Sequence, residues 1–380
     1  MADGGCTNPV WPCAMTGAAA TLAGFPDLCV IIHGSSGCYY YPKSLLKVPL
    51  FSTYLLESEI VFGTIDRLHE VVSEVAATGR PVAVVNTCVP ALTGEDLKTA
   101  FASGSAIFVD APGFSGNVEA GAAKAFAALA PSCSTERPGV NIDGINLLDI
   151  FWRGNLHETE RLLGLLKIPV TVRFCRDSYA NLRAGASLFT VSANSSYASG
   201  VGDNLGSMLF LDIPDTVAKL QEQYPDADTD AVLTEWARAE DQIYYSCDKY
   251  LRKYNPPVVA VAAQESYAAF AKTMMERYFG SDVPVVFARD QGLGRVPCSV
   301  NSVEINTAVA SAEPDLILGS TFEAAACRTA AFFGITPPDR SRISIAARPL
   351  AGVEGGLKLT EGALNALMNM HANLKRESRE

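Results

Sequence analysis

Short apolar runs rich in β-branched residues alternate with alanine-rich stretches over nearly the whole chain, and this alternation limits the fold more than any other feature. Two of the runs are DLCVIIH at 27–33 and PVAVVNT at 81–87. Runs of this length bounded by turn residues are typical of buried strands, and the longer stretches between them are typical of helices. Strands that alternate with helices predict an α/β protein with mainly parallel sheets.

A chain of 380 residues is longer than a single core usually organises. The alternation falls into three blocks, so we predict three Rossmann-like domains with mainly parallel sheets flanked by helices. The predicted bounds are 1–135 for the first domain, 136–255 for the second and 256–347 for the third. Residues 348–380 are predicted to form a C-terminal helix that packs back on the body.

Several individual elements follow from the same patterns. We expect strands at 144–149 and 343–347, and a helix over 321–333. The glycine-rich stretches GVGDNLG at 200–206 and GLGR at 292–295 lack the spacing of a phosphate-binding loop, so both are predicted to be ordinary loops.

Composition excludes some classes of partner. Hydrophobic residues make up 48% of the chain and charged residues 19%, as in a well-buried globular protein. The net charge of -11 argues against nucleic acid or an anionic membrane as a partner. The apolar runs are too short to span a bilayer, and the first residues lack the pattern of a signal peptide, so a cytoplasmic location is expected.

Three cysteines lie in turn-like contexts beside apolar runs: Cys13 in WPCAMTGAA, Cys38 in HGSSGCYYY and Cys88 in NTCVPALTGEDL. Cys38 and Cys88 follow predicted strands, at the ligand-facing edge of a parallel sheet. Backbone amides at such turns favour thiolates, which suits an iron–sulfur cluster.

The alternative for any one cysteine is a small buried hydrophobic residue. We interpret five cysteines in this way: Cys133, Cys175, Cys247, Cys298 and Cys327. No CxxC pair is present, which disfavours a zinc ribbon, and reduced thiols are expected in the cytoplasm.

Six motifs, in the same order along the chain, resemble the nitrogenase component 1 superfamily. They are CAMTGAAATLAG at Cys13, HGSSGC at 33–38, SEIVFG at 58–63, TCVPALTGEDL at 87–97, DAPGFSG at 110–116 and RPLAGVEGGLKLTEGALNAL at 348–367. The resemblance implies that Cys13, Cys38 and Cys88 ligate a cluster at the interface of two related subunits. It also assigns the cluster to the first predicted domain.

The turn before Cys38 carries the remaining cofactor-binding candidates. Gly34 and Gly37 would let the backbone approach the sulfides, and the hydroxyl of Ser35 or Ser36 could donate to them. A plain tight turn is the alternative reading of the glycines.

The number of ligands indicates a shared cluster. A four-iron cubane takes four protein ligands, whereas three thiols here have the expected context. A homodimer could supply two cysteines per chain to one 4Fe-4S cluster, or three per chain to a larger double cubane, and a related second subunit could also complete the set. Cys6 and Cys29 are possible substitute ligands, with an ordinary core or unstructured cysteine as the alternative.

The chain departs from nitrogenase in two ways. It is shorter than nitrogenase subunits, and no histidine lies between His157 and His371 to match the one that holds the molybdenum–iron cofactor. The size instead resembles the short homologues that act in coenzyme F-430 biosynthesis, in the pathway of methanogenesis. That resemblance implies the reductive cyclisation of a nickel tetrapyrrole.

The partners follow from the same resemblance. No phosphate loop is present in the sequence, so ATP would be used by a separate NifH-like iron protein, similar to CfbC, and not by this chain. The alternatives are a reductase of another substrate, a NifE-like scaffold for cofactor assembly, and a non-enzymatic carrier of a cluster or tetrapyrrole.

Polar residues near the predicted strand ends complete the set of candidates. His33 directly precedes the Cys38 turn, and Glu95 and Asp96 are predicted to cap a helix, with tuning of the cluster as the alternative. A tetrapyrrole substrate carries carboxylates, so we name Arg153, His157, Arg173 and Arg176 as candidate catalytic and binding residues. Ordinary surface charges are the alternative for these four.

Overall fold

The computed structural model describes residues 12–97, 104, 106–289 and 294–377. Within these residues it contains three four-stranded sheets, with strand orders β2-β1-β3-β4, β6-β5-β7-β8 and β10-β9-β11-β12. The strands are β1 Cys29–His33, β2 Phe51–Ser52, β3 Val82–Asn86, β4 Ile107–Asp110, β5 Val140–Asp143, β6 Val170–Arg173, β7 Phe189–Ser192, β8 Asp203–Ser207, β9 Val258–Ala263, β10 Asp282–Ala288, β11 Leu316–Gly319 and β12 Ala331–Gly334.

Helices connect most of these strands. They are α1 Ala14–Ala23, α2 Ser36–Leu46, α3 Glu57–Phe62, α4 Ile65–Ala76, α5 Cys88–Thr93, α6 Val118–Leu129, α7 Trp152–Leu165, α8 Tyr179–Arg183, α9 Ile213–Gln223, α10 Thr229–Leu251, α11 Glu265–Phe279, α12 Ser302–Ala312, α13 Thr321–Ala326 and α14 Gly352–Glu377. None of the helices in the described ranges combines the length and apolar character needed to cross a membrane.

The described residues form two compact units. The first comprises the chain up to Leu148 together with Thr171–Thr190 and Tyr197–Asp203. The second comprises Asp149–Val170, Val191–Ser196 and the chain from Asn204 onward. The predicted domain bounds stay a prediction.

The first unit contains a parallel sheet with apolar residues on both faces. In β1, Cys29 and Ile31 face one core with Leu68 of α4, whereas Val30 and Ile32 face the other core with α1 and α6. Residues of a strand alternate between the two faces, so each face has its own set. From β1 the sheet extends to β2 on one side and to β3 and β4 on the other, so the strand order changes direction between β1 and β3. Ligands of open α/β sheets bind at the carboxyl ends of strands at such a reversal.

The second unit contains the sheet β10-β9-β11-β12, whose strand pairs are parallel. The helix α14 packs closely here because two of its glycines leave room for aromatic rings. A Cβ on Gly356 would lie 2.3 Å from the Phe210 ring, and one on Gly362 would lie 1.9 Å from the Phe333 ring.

The three-sheet α/β class is confirmed, but several predicted elements are wrong. The strand expected at 144–149 lies earlier, at Val140–Asp143, and the glycine-rich stretch at 200–206 contributes to strand β8. The helix expected over 321–333 ends at Ala326, and its last residues form β12. The segment 343–347 is not a strand, and Ile343 and Ile345 are 92% and 96% exposed. The stretch at 292–295 lies partly outside the described residues.

Candidate metal centre

The three predicted ligands lie on three segments of the first unit that meet at the carboxyl edge of its sheet. Cys38 is in the first turn of α2, directly after β1, and Cys88 begins α5, directly after β3. Cys13 precedes the first residue of α1. All three thiols are free and partly exposed. The reversal of strand order therefore places Cys38 and Cys88 at the position where such sheets bind ligands.

Cys13 is held in place by the close packing of α1 against α6. A Cβ on Gly17 would lie 2.0 Å from the Val118 carbonyl oxygen, and one on Gly121 would lie 1.9 Å from the Ala14 carbonyl oxygen. The Ala14 N–H also donates to the Gly116 carbonyl oxygen at 2.9 Å. Only glycine allows backbones to approach this closely, so these residues set the position of the Cys13 thiol.

Gly113 lies between two of the sulfurs. An added Cβ there would be 3.0 Å from Cys88 Sγ and 3.2 Å from Cys13 Sγ. The Gly113 N–H donates to Cys88 Sγ at 3.0 Å. The segment after β4 thus brings Cys13 and Cys88 to one point and supplies a backbone donor to a thiolate.

The electrostatics of Cys38 show that it belongs to the same group. Burial raises the pKa of the Cys38 thiol, and the hydroxyls of Ser35 and Thr87 oppose that effect, while the nearby Cys88 and Cys13 raise the pKa further. Ser35 Oγ donates to Cys38 Sγ at 3.8 Å. The raised pKa disfavours the Cys38 thiolate when no metal is bound. A metal cation stabilises the thiolate, so this environment suits a metal ligand.

The Thr87 hydroxyl is fully buried beside the Cys38 thiol. Burial raises the pKa of that thiol, and a hydrogen bond from Thr87 opposes this effect, although Thr87 Oγ1 meets no partner within ordinary hydrogen-bond geometry. The Thr87 donor, the thiols and the cradle at Gly113 together fit a group that accepts hydrogen bonds through sulfur.

Within the described ranges, no group of three or more His, Cys, Asp or Glu side chains is arranged to hold a single metal ion. In a polynuclear cluster each thiolate binds a different iron, so its ligands stand further apart than those of one ion.

The four cofactor-binding candidates occupy different environments. Gly34 is buried, and a Cβ there would lie 2.0 Å from Thr87 Oγ1, so this glycine is required by a close approach of two ligand segments. Ser35 precedes α2 and reaches Cys38. Ser36 and Gly37 are exposed, and Gly37 has open space around it. Contact of these four residues with a cofactor stays a prediction.

The remaining described cysteines divide into a buried group, an exposed group and Cys327, which is partly exposed. Cys29, Cys175 and Cys247 are buried, and Cys29 belongs to the apolar core of the first sheet. Cys133 and Cys298 are exposed, so the interpretation of these two as core residues is wrong. Both follow short irregular segments, where side-chain burial is not set by a strand or helix period. Cys6 lies outside the described residues.

The candidate cations are not brought together within one unit. Arg153 and His157 are exposed one turn apart on α7, in the second unit. Arg173 and Arg176 are half-buried in the first unit, where Arg173 lies 3.9 Å from the Asp177 carboxylate. Their role toward a substrate stays a prediction.

Sequence reasoning missed two residues of the site, Gly113 and Thr87. Both lie inside motifs that resemble the superfamily, DAPGFSG and TCVPALTGEDL, which was the one available signal. Glu95 also makes a contact that was not predicted, whereas the helix it is expected to cap lies mostly outside the described residues. Its carboxylate accepts the N–H of Thr64 at 2.6 Å and the Thr64 hydroxyl, and so caps α4 from a distant segment.

The fold defines the class: an α/β protein with three sheets, in which three cysteine thiols lie at the carboxyl edge of one sheet. The family model for nitrogenase component 1 type oxidoreductases matches residues 13–207, and this chain belongs to that family. Members of the family generally bind iron–sulfur clusters and work in oligomers with an iron protein partner.

Curated relatives are similar over parts of the chain. The chain is 36% identical over 98 residues to the nitrogenase molybdenum-iron protein beta chain of Frankia alni, covering 24% of this chain and 19% of that protein. It is 27% identical over 184 residues to NifE of Clostridium pasteurianum, covering 44% and 40% of the two chains. It is 36% identical over 90 residues to CfbD, a component of the Ni-sirohydrochlorin a,c-diamide reductive cyclase complex of Methanothermobacter thermautotrophicus, covering 22% and 25%.

These matches cover less than half the length of the curated relatives. A solved structure described as nitrogenase Cp1 at pH 6.5 is similar over 95% of this chain and 93% of its own, with a TM-score of 0.78 and 18% identity. At that identity the likeness shows the fold, and it confirms the predicted architecture.

Proposed function

We propose that this chain is the catalytic component of an ATP-dependent, nitrogenase-like reductase that reduces a nickel tetrapyrrole, Ni-sirohydrochlorin a,c-diamide, in coenzyme F-430 biosynthesis. A separate NifH-like iron protein, similar to CfbC, uses the ATP and delivers electrons. The observation that carries the proposal is the convergence of Cys13, Cys38 and Cys88 at one sheet edge, with donors aimed at their sulfurs.

The three thiolates would hold an iron–sulfur cluster. When bound, such a cluster supplies one-electron transfer at a potential set by its hydrogen bonds and exposure. The Gly113 N–H donates to Cys88, and the Ser35 hydroxyl donates to Cys38. These donors favour the thiolate form and orient the ligands, as outer partners of metal ligands do.

A second copy of this chain would complete the site. Large apolar side chains on the ligand segments are exposed: Tyr40 and Tyr41 after Cys38, Leu92 after Cys88, and Phe114 after Gly113. Exposed apolar patches beside a functional site are typical of interaction surfaces. Three local thiols are also one fewer than a cubane requires. A homodimer supplies the missing ligands by symmetry.

Iron stoichiometry tests this arrangement. We expect a dimer by light scattering and either four or eight irons per dimer, which correspond to one 4Fe-4S cluster or one larger double cubane. A monomer that binds four irons per chain would contradict the shared site.

The substrate assignment rests on similarity to CfbD and on the chemistry of the substrate. A tetrapyrrole with several carboxylates requires cations, for which Arg153, His157, Arg173 and Arg176 are the candidates. The test is turnover: purified protein with its iron protein, dithionite and ATP is expected to convert Ni-sirohydrochlorin a,c-diamide. Absence of turnover with a fully loaded cluster would overturn the substrate assignment.

Cofactor assembly is the second candidate function. The similarity to NifE of Clostridium pasteurianum extends over 44% of this chain, against 22% for CfbD. A scaffold would release a cluster to an acceptor protein, and a carrier would do so without ATP-dependent electron uptake. Cluster transfer in the absence of ATP, without substrate reduction, would favour these alternatives.

The iron protein is expected to dock on the short helix α3. Phe62 at its end is 89% exposed, and Val61 beside it is 74% exposed. A large aromatic at the centre of an interface can contribute 2 kcal/mol or more, so Phe62→Ala is expected to weaken binding of the iron protein by roughly tenfold or more. Binding is measured by titration with the iron protein, with iron content as the check on the site.

Tyr245→Ala is the matched control. Tyr245 is 73% exposed but lies on α10 in the second unit. Its loss is expected to leave iron-protein binding unchanged. Equal binding of the iron protein by the wild-type protein and the Phe62→Ala variant would show that it does not dock on α3.

A further inference from the structure

A chain of buried hydrogen bonds leads from Glu95 to the turn that carries Cys38. The Thr64 hydroxyl bonds to the Glu95 carboxylate, and His33 Nε2 lies 3.0 Å from Thr64 Oγ1. On the other side of the ring, His33 Nδ1 lies 3.2 Å from Thr53 Oγ1, which accepts the Gly34 N–H at 3.1 Å. We call these five residues the His33 chain.

The order of donors in the His33 chain is fixed by its end at Glu95. A hydroxyl has one proton, and Thr64 gives it to the Glu95 carboxylate, so Thr64 Oγ1 must accept from His33 Nε2–H. His33 Nδ1 is then an acceptor, and the Thr53 hydroxyl donates to it at 3.2 Å in preference to the more distant Gly34 carbonyl oxygen at 3.5 Å. The network thus assigns one tautomer of His33, with the proton on Nε2.

Burial makes this arrangement rigid. His33, Thr53 and Thr64 are fully buried. Burial also lowers the pKa of His33 to about 4, so the ring is neutral near pH 7. Every polar atom of the ring is satisfied by a threonine hydroxyl, and loss of either partner would leave a buried nitrogen unpaired.

The two ends of the His33 chain lie at positions that matter for the metal centre. Gly34 begins the turn that leads to Cys38, and it also packs against Thr87, the residue before Cys88. At the other end, Thr64 follows the exposed helix α3, and its N–H donates to the Glu95 carboxylate at 2.6 Å. The ring is therefore joined through Thr53 to Gly34, which lies against the other ligand segment, and the Thr87 N–H donates to the His33 carbonyl oxygen at 3.2 Å.

We propose that His33 is a positioning residue for the Cys38 ligand, acting through Thr53 and Gly34 and anchored by the Glu95 carboxylate. It touches neither thiol nor substrate, and it acts by holding the backbone of the turn. The importance of Cys38 rests on the proposed function, whereas the rigidity of the turn can be measured on the protein without iron.

The tautomer gives a test on the wild-type chain. The protein has four histidines, so nitrogen-15 labelling of histidine yields a simple spectrum. We expect one neutral histidine with its proton on Nε2 at pH 7, assigned to His33 by its loss in a His33→Gln variant. A charged His33, or one protonated on Nδ1, would overturn the proposal even where no other variant folds.

The matched pair Thr64→Val and Thr64→Ser tests the mechanical role. Valine removes the hydroxyl that His33 requires, whereas serine keeps it. In iron-free protein we expect hydrogen exchange of the Gly34 amide, which donates to Thr53 Oγ1, to rise about tenfold in Thr64→Val, the effect of losing one hydrogen bond, and to stay at the wild-type rate in Thr64→Ser.

A purely structural role for Thr64 predicts a different pattern. It would lower the denaturant midpoint and raise exchange throughout the first unit, without selecting the Gly34 amide. After reconstitution, the Thr64→Val protein should also show an altered electron paramagnetic resonance signal of the reduced cluster, restored in Thr64→Ser. Unchanged local exchange in a folded Thr64→Val protein would exclude His33 as the positioning residue, whatever the outcome of the turnover experiment.

Discussion

Cys38→Ala protein, purified without oxygen, is expected to be colourless and to retain about a tenth or less of the wild-type iron, because loss of a direct ligand exceeds the 10- to 100-fold effect of losing an outer partner. Cys38 shares one site with Cys13 and Cys88, and burial, with a smaller contribution from these two cysteines, raises the pKa of its thiol. Alanine leaves one iron without its protein ligand. Iron content and visible absorption measure the effect.

Cys133→Ala is the control for this substitution. Cys133 is exposed and does not belong to the three-thiol group. Its removal should leave iron content and colour at the wild-type level, which separates a ligand effect from a general loss of thiols. Full iron content in Cys38→Ala protein would rule out the proposed ligand set.

Gly113→Ala is expected to lower the affinity for the cluster by about 10- to 100-fold while the protein stays folded. The added methyl group would lie 3.0 Å from Cys88 Sγ and 3.2 Å from Cys13 Sγ, closer than a carbon and a sulfur normally approach. Both sulfurs would have to move by a few tenths of an ångström, whereas metal–ligand distances hold to within about 0.2 Å. The backbone N–H that donates to Cys88 is kept.

Gly164→Ala provides the comparison, because Gly164 lies in α7 with nothing within 4 Å of the added carbon. Alanine there should raise stability by up to about 1 kcal/mol through its higher helix propensity, and iron content should not change. Circular dichroism checks the fold of both variants. Iron content at the wild-type level in Gly113→Ala protein would show that the thiols can shift without loss of affinity for the cluster.

Much of the first unit could be predicted because its elements are regular. The runs at 27–33 and 81–87 contain β1 and β3, and both strands are fully buried, as their apolar character indicates. Cys38 and Cys88 come after these strands, which made them candidate ligands, and the resemblance to the superfamily completed the predicted set with Cys13. The periodic pattern and the turn residues are local properties, which a sequence displays directly.

The failures lie where local pattern and tertiary context disagree. The alanine-rich stretch after Thr321 has a helical pattern, yet Ala331–Gly334 pairs with β11 and becomes a strand. Ile343 and Ile345 have the alternation of a strand but pair with no sheet within the described ranges. A propensity of a few tenths of a kilocalorie per residue is easily overridden by pairing with an existing sheet.

The sequence by itself determined the α/β class, the order of the motifs and the choice of three candidate thiols, because these depend on residue type and on spacing along the chain. Only the tertiary structure decided that Gly113 lies between two sulfurs, that Glu95 caps a distant helix and that His33 connects Glu95 to the Cys38 turn. Each of these contacts joins segments far apart in the chain. Their distances are set by the packing of helices and strands, which no local period encodes.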